Sequence, residues 1–216
     1  MISNINICVI GEISSGKTSL VSVIINQLAG AIRMKRSTMN YQRFVENPIE
    51  IPVDSKTPID DHKELAMATD QTIRCDTVQI NPIKCLNYER SYRFNLYDSV
   101  GMDERDRDDE NHDFFNSSIL PYIDILLVVL DVTSGLSKKS EKEFLRRTVS
   151  YKCHRIYVLN KADDPMDEEI IENINTMTDY LLKNKYIDDR NEVVVCSYVH
   201  QKIYLISCSK QNNTII

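Results

Sequence analysis

Three short clusters of residues in this chain could do chemistry. Gly11-Glu12-Ile13-Ser14-Ser15-Gly16-Lys17-Thr18 follows the pattern GxxxxGK[ST], with Ser19 next in line. Two glycines let a backbone wrap so that successive N–H groups, among them those of Ser14, Ser15 and Gly16, point at phosphate oxygens. A helix opening at Lys17 would add its positive dipole end. Lys17 could then reach β- and γ-phosphate oxygens, and the Thr18 hydroxyl could ligate Mg²⁺. Asp98-Ser99-Val100-Gly101 is a much commoner pattern, and its meaning depends on position. A carboxylate ending a strand beside a phosphate loop can hold Mg²⁺ through water, and a glycine three residues on can bring its N–H to a γ-phosphate.

The third cluster, Asn160-Lys161-Ala162-Asp163, follows the apolar run IYVL. A carboxylate at position 163 can accept hydrogen bonds from N1–H and the exocyclic amine of guanine. Adenine offers no such donor pair, so the site would reject it by leaving a carboxylate unpaired. Asn160 could touch the base edge or tie this segment to the phosphate loop, and the Lys161 stem could cover the ring face. Ser207-Cys208-Ser209-Lys210 could offer a backbone N–H to the guanine oxygen, with Cys196-Ser197 as its rival.

These clusters need elements to hold them. Ile5–Ile10, Tyr92–Tyr97, Ile125–Val132, Ile156–Leu159, Val193–Cys196 and Lys202–Ser207 read as strands. Apolar side chains at helical spacing mark residues 17–29 and 138–150. A further helix opens with Asp164 as cap and Pro165 in its first turn, with Ile170, Ile174, Met177 and Leu181 on one stripe. The alternation implies an α/β fold, a mostly parallel sheet with helices on both faces, whose ligands sit at the C-terminal strand ends. Residues 47–75 read as an insertion with a short helix through Glu64–Ala68, and acid-rich residues 102–113 as a mobile polar loop.

Composition narrows the partners. The 216 residues carry a net charge of −6, are 42% apolar and 27% charged, and suit one domain over 1–216. An acidic chain without a basic stripe is a poor general binder of nucleic acid or anionic membrane. No apolar run reaches the length of a membrane span, and no signal or lipidation motif is present, so a cytoplasmic protein with reduced cysteines and no membrane anchor is expected. Only five residues are glycine, where typical usage of ~7% would give about fifteen. Three of the five, Gly11, Gly16 and Gly101, fall where backbone would approach phosphate. Gly30 suits a helix C-cap and Gly135 a turn.

In order and spacing, GEISSGKT, DSVG, NKAD and SCSK resemble the Ras-like, translation-factor-related class of P-loop GTPases, over residues 5–210. GEISSGKTSL is similar to the dynamin-like and Era-like branches. The resemblance implies a G domain that binds GTP and GDP, depends on Mg²⁺ and carries two switch loops ordered by the γ-phosphate. It implies a protein effector or activating partner, and allows a nucleotide-dependent dimer. It also requires a switch threonine that ligates Mg²⁺ and acts with Lys17 in catalysis. Thr38 is the favoured residue, with Thr72 and Thr69 as rivals, because TVQINPIKCL followed by NYERSYRFNLYD looks like a hairpin after the switch.

Two departures stand out. Met102 occupies the place of the Ras-type water-orienting glutamine, and Ile13 that of the dynamin-type glutamine in the phosphate loop. Hydrolysis is therefore expected to be slow. The rival readings are a module that binds GTP without turnover, and a P-loop kinase of small molecules. The six residues after Lys210 are too few for the helix that normally closes such a sheet, so that helix is expected to be missing or cut off.

Overall fold

The computed structural model describes residues 3–25, 40–46, 75–80, 83, 92–101, 108–164, 166–197 and 202–204, with 3, 108, 109 and 202–204 by backbone alone. Among the described residues eight strands form one sheet: β1 (Ser3–Gly11), β2 (Tyr41–Glu46), β3 (Cys75–Ile80), β4 (Tyr92–Asp98), β5 (Ile125–Asp131), β6 (His154–Asn160), β7 (Val193–Ser197) and β8 (Lys202–Tyr204). Their order is β3-β2-β4-β1-β5-β6-β7-β8. From β4 to β7 every pairing is parallel. β2 runs antiparallel to β4 and parallel to β3, and β8 runs antiparallel to β7.

The central strands are apolar on both sides because both sides are covered. Along β1, Ile7 and Val9 enter one core, and Cys8 and Ile10 the other. Helix α1 (Lys17–Ile24) closes the first core with Leu20 and Val21. Three segments close the second. They are α2 (Asp108–Phe114), which continues through a π turn at Phe115–Ile119, then α3 (Lys139–Thr148) and α4 (Glu168–Lys183). Phe115, Leu145, Met177 and Leu181 are their fully buried contributions. The expected parallel α/β sheet with helices on both faces is what the chain forms.

Several local expectations are revised. α4 starts at Glu168 with Asp167 as its cap, rather than after Asp164. The Asp164 carboxylate instead accepts from the Met166 N–H at 2.9 Å in a turn of its own. Two aspartates three residues apart compete for one cap, and Asp167 has Glu168 and Glu169 following it to complement the dipole. The acid-rich stretch 102–113 is helical from Asp108 onward. The hairpin reading also fails, because β2 lies between β3 and β4. Residues 47–74, which hold most of the expected insertion, and those after 204, where a closing helix was expected to be missing, lie outside the described residues.

Candidate nucleotide-binding site

Parallel pairing brings the ends of β1, β4, β6 and β7 to one edge, and each end delivers a candidate residue. β1 finishes at Gly11 and turns through residues 12–16 into α1. Gly16 makes that turn with φ 95° and ψ 22°, a left-handed conformation that glycine adopts without steric cost. Ser14 is also left-handed, φ 62°, and exposed. Ser15 is 2% exposed, its N–H donating to the Glu12 carbonyl at 3.3 Å, and Ser19 is half-buried in the first turn of α1.

Lys17 is buried, and its ammonium donates to the Glu12 carbonyl at 2.8 Å. Burial lowers its pKa to about 8, against the raising effect of Asp98 and Glu12. Asp98 ends β4 beside Val9 of β1 and is fully buried. Its Oδ2 accepts from the Thr18 hydroxyl at 2.6 Å, while its Oδ1 has no hydrogen-bond partner. Burial raises its pKa to about 6, opposed by the Thr18 hydrogen bond and by Lys17. Gly101 follows at the same edge. A Cβ there would lie 2.3 Å from Ile13 Cγ1, so only glycine allows this approach to the phosphate loop.

The candidate base-reading segment leaves β6. Asn160, 1% exposed, donates from Nδ2 to the Ser15 carbonyl at 2.6 Å. Of the two roles open to it, it makes the tie to the phosphate loop. Lys161 is left-handed, φ 67°, and its ammonium meets Asp131 Oδ2 at 2.5 Å. Asp163 is exposed, and its Oδ1 accepts from the Ser197 hydroxyl at 2.5 Å. Ala162 N–H donates to the Cys196 carbonyl at 3.2 Å. The rival pair Cys196-Ser197 thus stands against NKAD. β8 runs back from this edge, since Lys202 pairs with Ser197 and Tyr204 with Val195. Ser207, Cys208 and Ser209 lie outside the described residues, as do Thr38, Thr69, Thr72, Met102 and Gly30.

Residues 3–214 match the family described as the elongation factor Tu GTP binding domain. The chain belongs to that family. It is accordingly a GTP-binding GTPase domain. Among curated proteins none matches it by sequence. Solved structures share its fold at low identity. Era in complex with MgGDPNP and nucleotides 1506–1542 of 16S ribosomal RNA has TM-score 0.59 and 14% identity over 93% of this chain and 53% of Era. One chain of an oligomerised bacterial dynamin pair has TM-score 0.58 and 15% identity over 91% of this chain and 34% of its own. Elongation factor SelB from Methanococcus maripaludis, with the GTP analogue GPPNHP, has TM-score 0.50 and 17% identity over 92% and 31%. The G domain described here therefore spans about half of the Era chain and about a third of the other two.

Does this G domain fit a cation? A buried carboxylate oxygen without a partner, beside a threonine hydroxyl, is a suitable pair of hard donors. Among the described residues no group of three or more His, Cys, Asp or Glu could hold a metal. The remaining ligands would be phosphate oxygens, water or a residue outside the described ones, and phosphate and water are how Mg²⁺ is usually held beside a nucleotide. No helix among the described residues is long and apolar enough to cross a membrane.

The motif reading did not find Asp131. Its one sequence signal is an acid that ends the buried run ILLVVL. Tyr41 was also missed. It is fully buried, its hydroxyl donates to the Asn111 carbonyl at 3.1 Å, and its ring packs 5.4 Å from that of Phe114.

Proposed function

We propose that the chain is a guanine-nucleotide switch, a single G domain that hydrolyses GTP slowly to GDP and phosphate. One observation carries the reading. The Asn160–Ser15 hydrogen bond joins the base-reading segment to the phosphate loop, so both halves of a nucleotide meet one preorganised unit. In this reading the backbone from Gly11 to Ser19 holds the phosphates, and Asp163, oriented by Ser197, reads the guanine edge. Lys161 covers the ring face. Cys196-Ser197 supplies the last base contact in preference to Ser207, Cys208 and Ser209, because β8 leads away from that edge.

Thr18 and Asp98, with Thr38, would hold Mg²⁺. A bound Mg²⁺ would neutralise charge on the β- and γ-phosphate oxygens. The β2 register favours Thr38 over Thr72 and Thr69. Gln42 pairs with Asp98, so the chain enters β2 at the phosphate edge directly beside β4, whereas β3 starts one strand further out. Lys17 would exchange the Glu12 carbonyl for phosphate oxygens. Ile13 packs against Gly101 and has no polar group with which to orient a water, which supports slow turnover. Tyr41 follows Thr38 by three residues and reaches the helix after Gly101, so it could link the two switch segments. A protein effector, an activating partner or a second copy would sense the difference. The net charge of −6 disfavours nucleic acid in that role.

The test is binding of GTP, GDP and ATP with and without Mg²⁺, followed by single-turnover hydrolysis. Expected are Mg²⁺-dependent binding of GTP and GDP, rejection of ATP, and a rate on the order of 10⁻⁴ to 10⁻² s⁻¹. No turnover at all would leave the binding-module reading. Phosphate transfer to a small acceptor would replace both with the kinase.

A further inference from the structure

Lys161 reaches its position under constraint. A left-handed backbone at a non-glycine residue is costly and persists only where its surroundings over-determine it. On the backbone side, the neighbouring Ala162 N–H is held by the Cys196 carbonyl. On the side-chain side, the ammonium is held by Asp131. Asp131 is the last residue of β5 and stands opposite Asn160 in the sheet register. Its Oδ1 accepts from the Thr133 N–H at 3.0 Å and from the Thr133 hydroxyl at 2.6 Å. Its Oδ2 takes the Lys161 ammonium at 2.5 Å. Three donors therefore fix one carboxylate. The pair is partly shielded, with side chains 33% and 21% exposed.

We propose that Asp131 is a positioning residue for base recognition, anchoring the Lys161 ammonium so that the lysine stem lies across the face of the bound guanine. This rests on Lys161 covering the ring. A lysine with a free end samples many rotamers and must order on binding. One tethered at its tip presents four methylenes as a ready surface.

Asp131→Asn tests this with little disturbance. The amide oxygen still accepts from Thr133, so the turn after β5 is kept, but the amide nitrogen now opposes the ammonium, donor against donor. GDP affinity, measured by calorimetry with Mg²⁺, should fall about three- to tenfold, as for loss of a partly exposed charge-assisted hydrogen bond. Inosine diphosphate should lose the same factor, because the ring face and not the edge is affected. Melting of the nucleotide-free protein should stay unchanged. Lys161→Ala should weaken binding at least as much, and the double variant should be no weaker than Lys161→Ala alone. Full affinity in Lys161→Ala overturns the ring-cover role and this inference with it. A weakened Lys161→Ala beside an unchanged Asp131→Asn, or losses that multiply in the double variant, overturns this inference alone. Lys161→Met keeps the stem without the ammonium, so it tests the anchor even where Asp131→Asn fails to fold. Undiminished GDP affinity in that variant likewise overturns it.

Discussion

The two ends of the site are built on opposite terms. At the base end each named side chain has a protein partner: Asn160 with Ser15, Asp163 with Ser197, Lys161 with Asp131. At the phosphate end, charge is buried and only partly compensated. Asp98 Oδ1 and the Ser15 hydroxyl lack partners, and Lys17 donates to a neutral carbonyl. Burying a charge without full pairing is costly, and that cost appears as the raised pKa of Asp98 and the lowered pKa of Lys17. The base end is already hydrogen-bonded within the protein, and in the proposed reading it would take up guanine without rearrangement. The phosphate end is held in an unfavourable electrostatic state that an anion and a cation together would relieve.

The contrast can be broken most severely at Lys17. Lys17→Ala should cut GDP affinity on the order of a thousandfold, about 4 kcal/mol, by removing a buried cation from beside phosphate. Retained nanomolar binding would sink the phosphate-loop assignment. Next in size is specificity. Asp163→Asn should lower GTP affinity by roughly 10²- to 10³-fold and move preference toward xanthosine triphosphate, because the amide matches the altered edge. A competition assay in which guanine stays preferred would refute the edge-reading role.

A pH series separates the two ends. Asp98 is raised from 3.8 to about 6, so its contribution favours the nucleotide-free fold below pH 3.8 and is lost as pH rises through 6. Lys17 is lowered from 10.5 to about 8, so its contribution is present above pH 10.5 and lost as pH falls through 8. Between about 6 and 8 both groups are charged in the empty site, and ligand binding has most to relieve. Mg²⁺-dependent GDP affinity should therefore fall by up to about tenfold per pH unit below 6, as Asp98 takes up a proton. Calorimetry at pH 5 to 8 that gives a flat profile would remove the electrostatic half of the contrast. The smallest effect is expected at the preorganised end. Ser197→Ala should cost about three- to tenfold in GDP affinity, the loss of one oriented hydrogen bond. A loss as large as that of Asp163→Asn would mean that the serine does more than orient the carboxylate.

The same division decides what could be read from sequence. The phosphate loop and NKAD are contiguous, and each is delivered by the end of one strand, so local spacing is enough to find them. Ser197, Asp131 and Tyr41 act across the sheet, and their partners are set by strand order and register, which no local pattern records. Ser197 could be named only as half of a rival pair, because two apolar runs each end in a Ser- and Cys-containing stretch. The antiparallel turn of β8 argues between them. The hairpin reading failed for a related reason. Residues 77–86 and 87–98 are neighbours in sequence, yet β2, from far upstream, takes the place beside β4.

That placement of β2 also matters while the chain is being made. Tyr41 and Phe44 are buried against segments that come later, since β2 pairs with β3 and β4 and Tyr41 packs on Phe114 and Phe115. At ~5–20 residues per second, the interval from β2 to the end of β4 takes roughly 3 to 10 s of synthesis. During those seconds two large apolar side chains, just downstream of Thr38, have no sheet to enter. A nascent chain paused there would present them to solvent or to a holdase, so the strand nearest the proposed switch is one that must wait for both of its neighbours to be made.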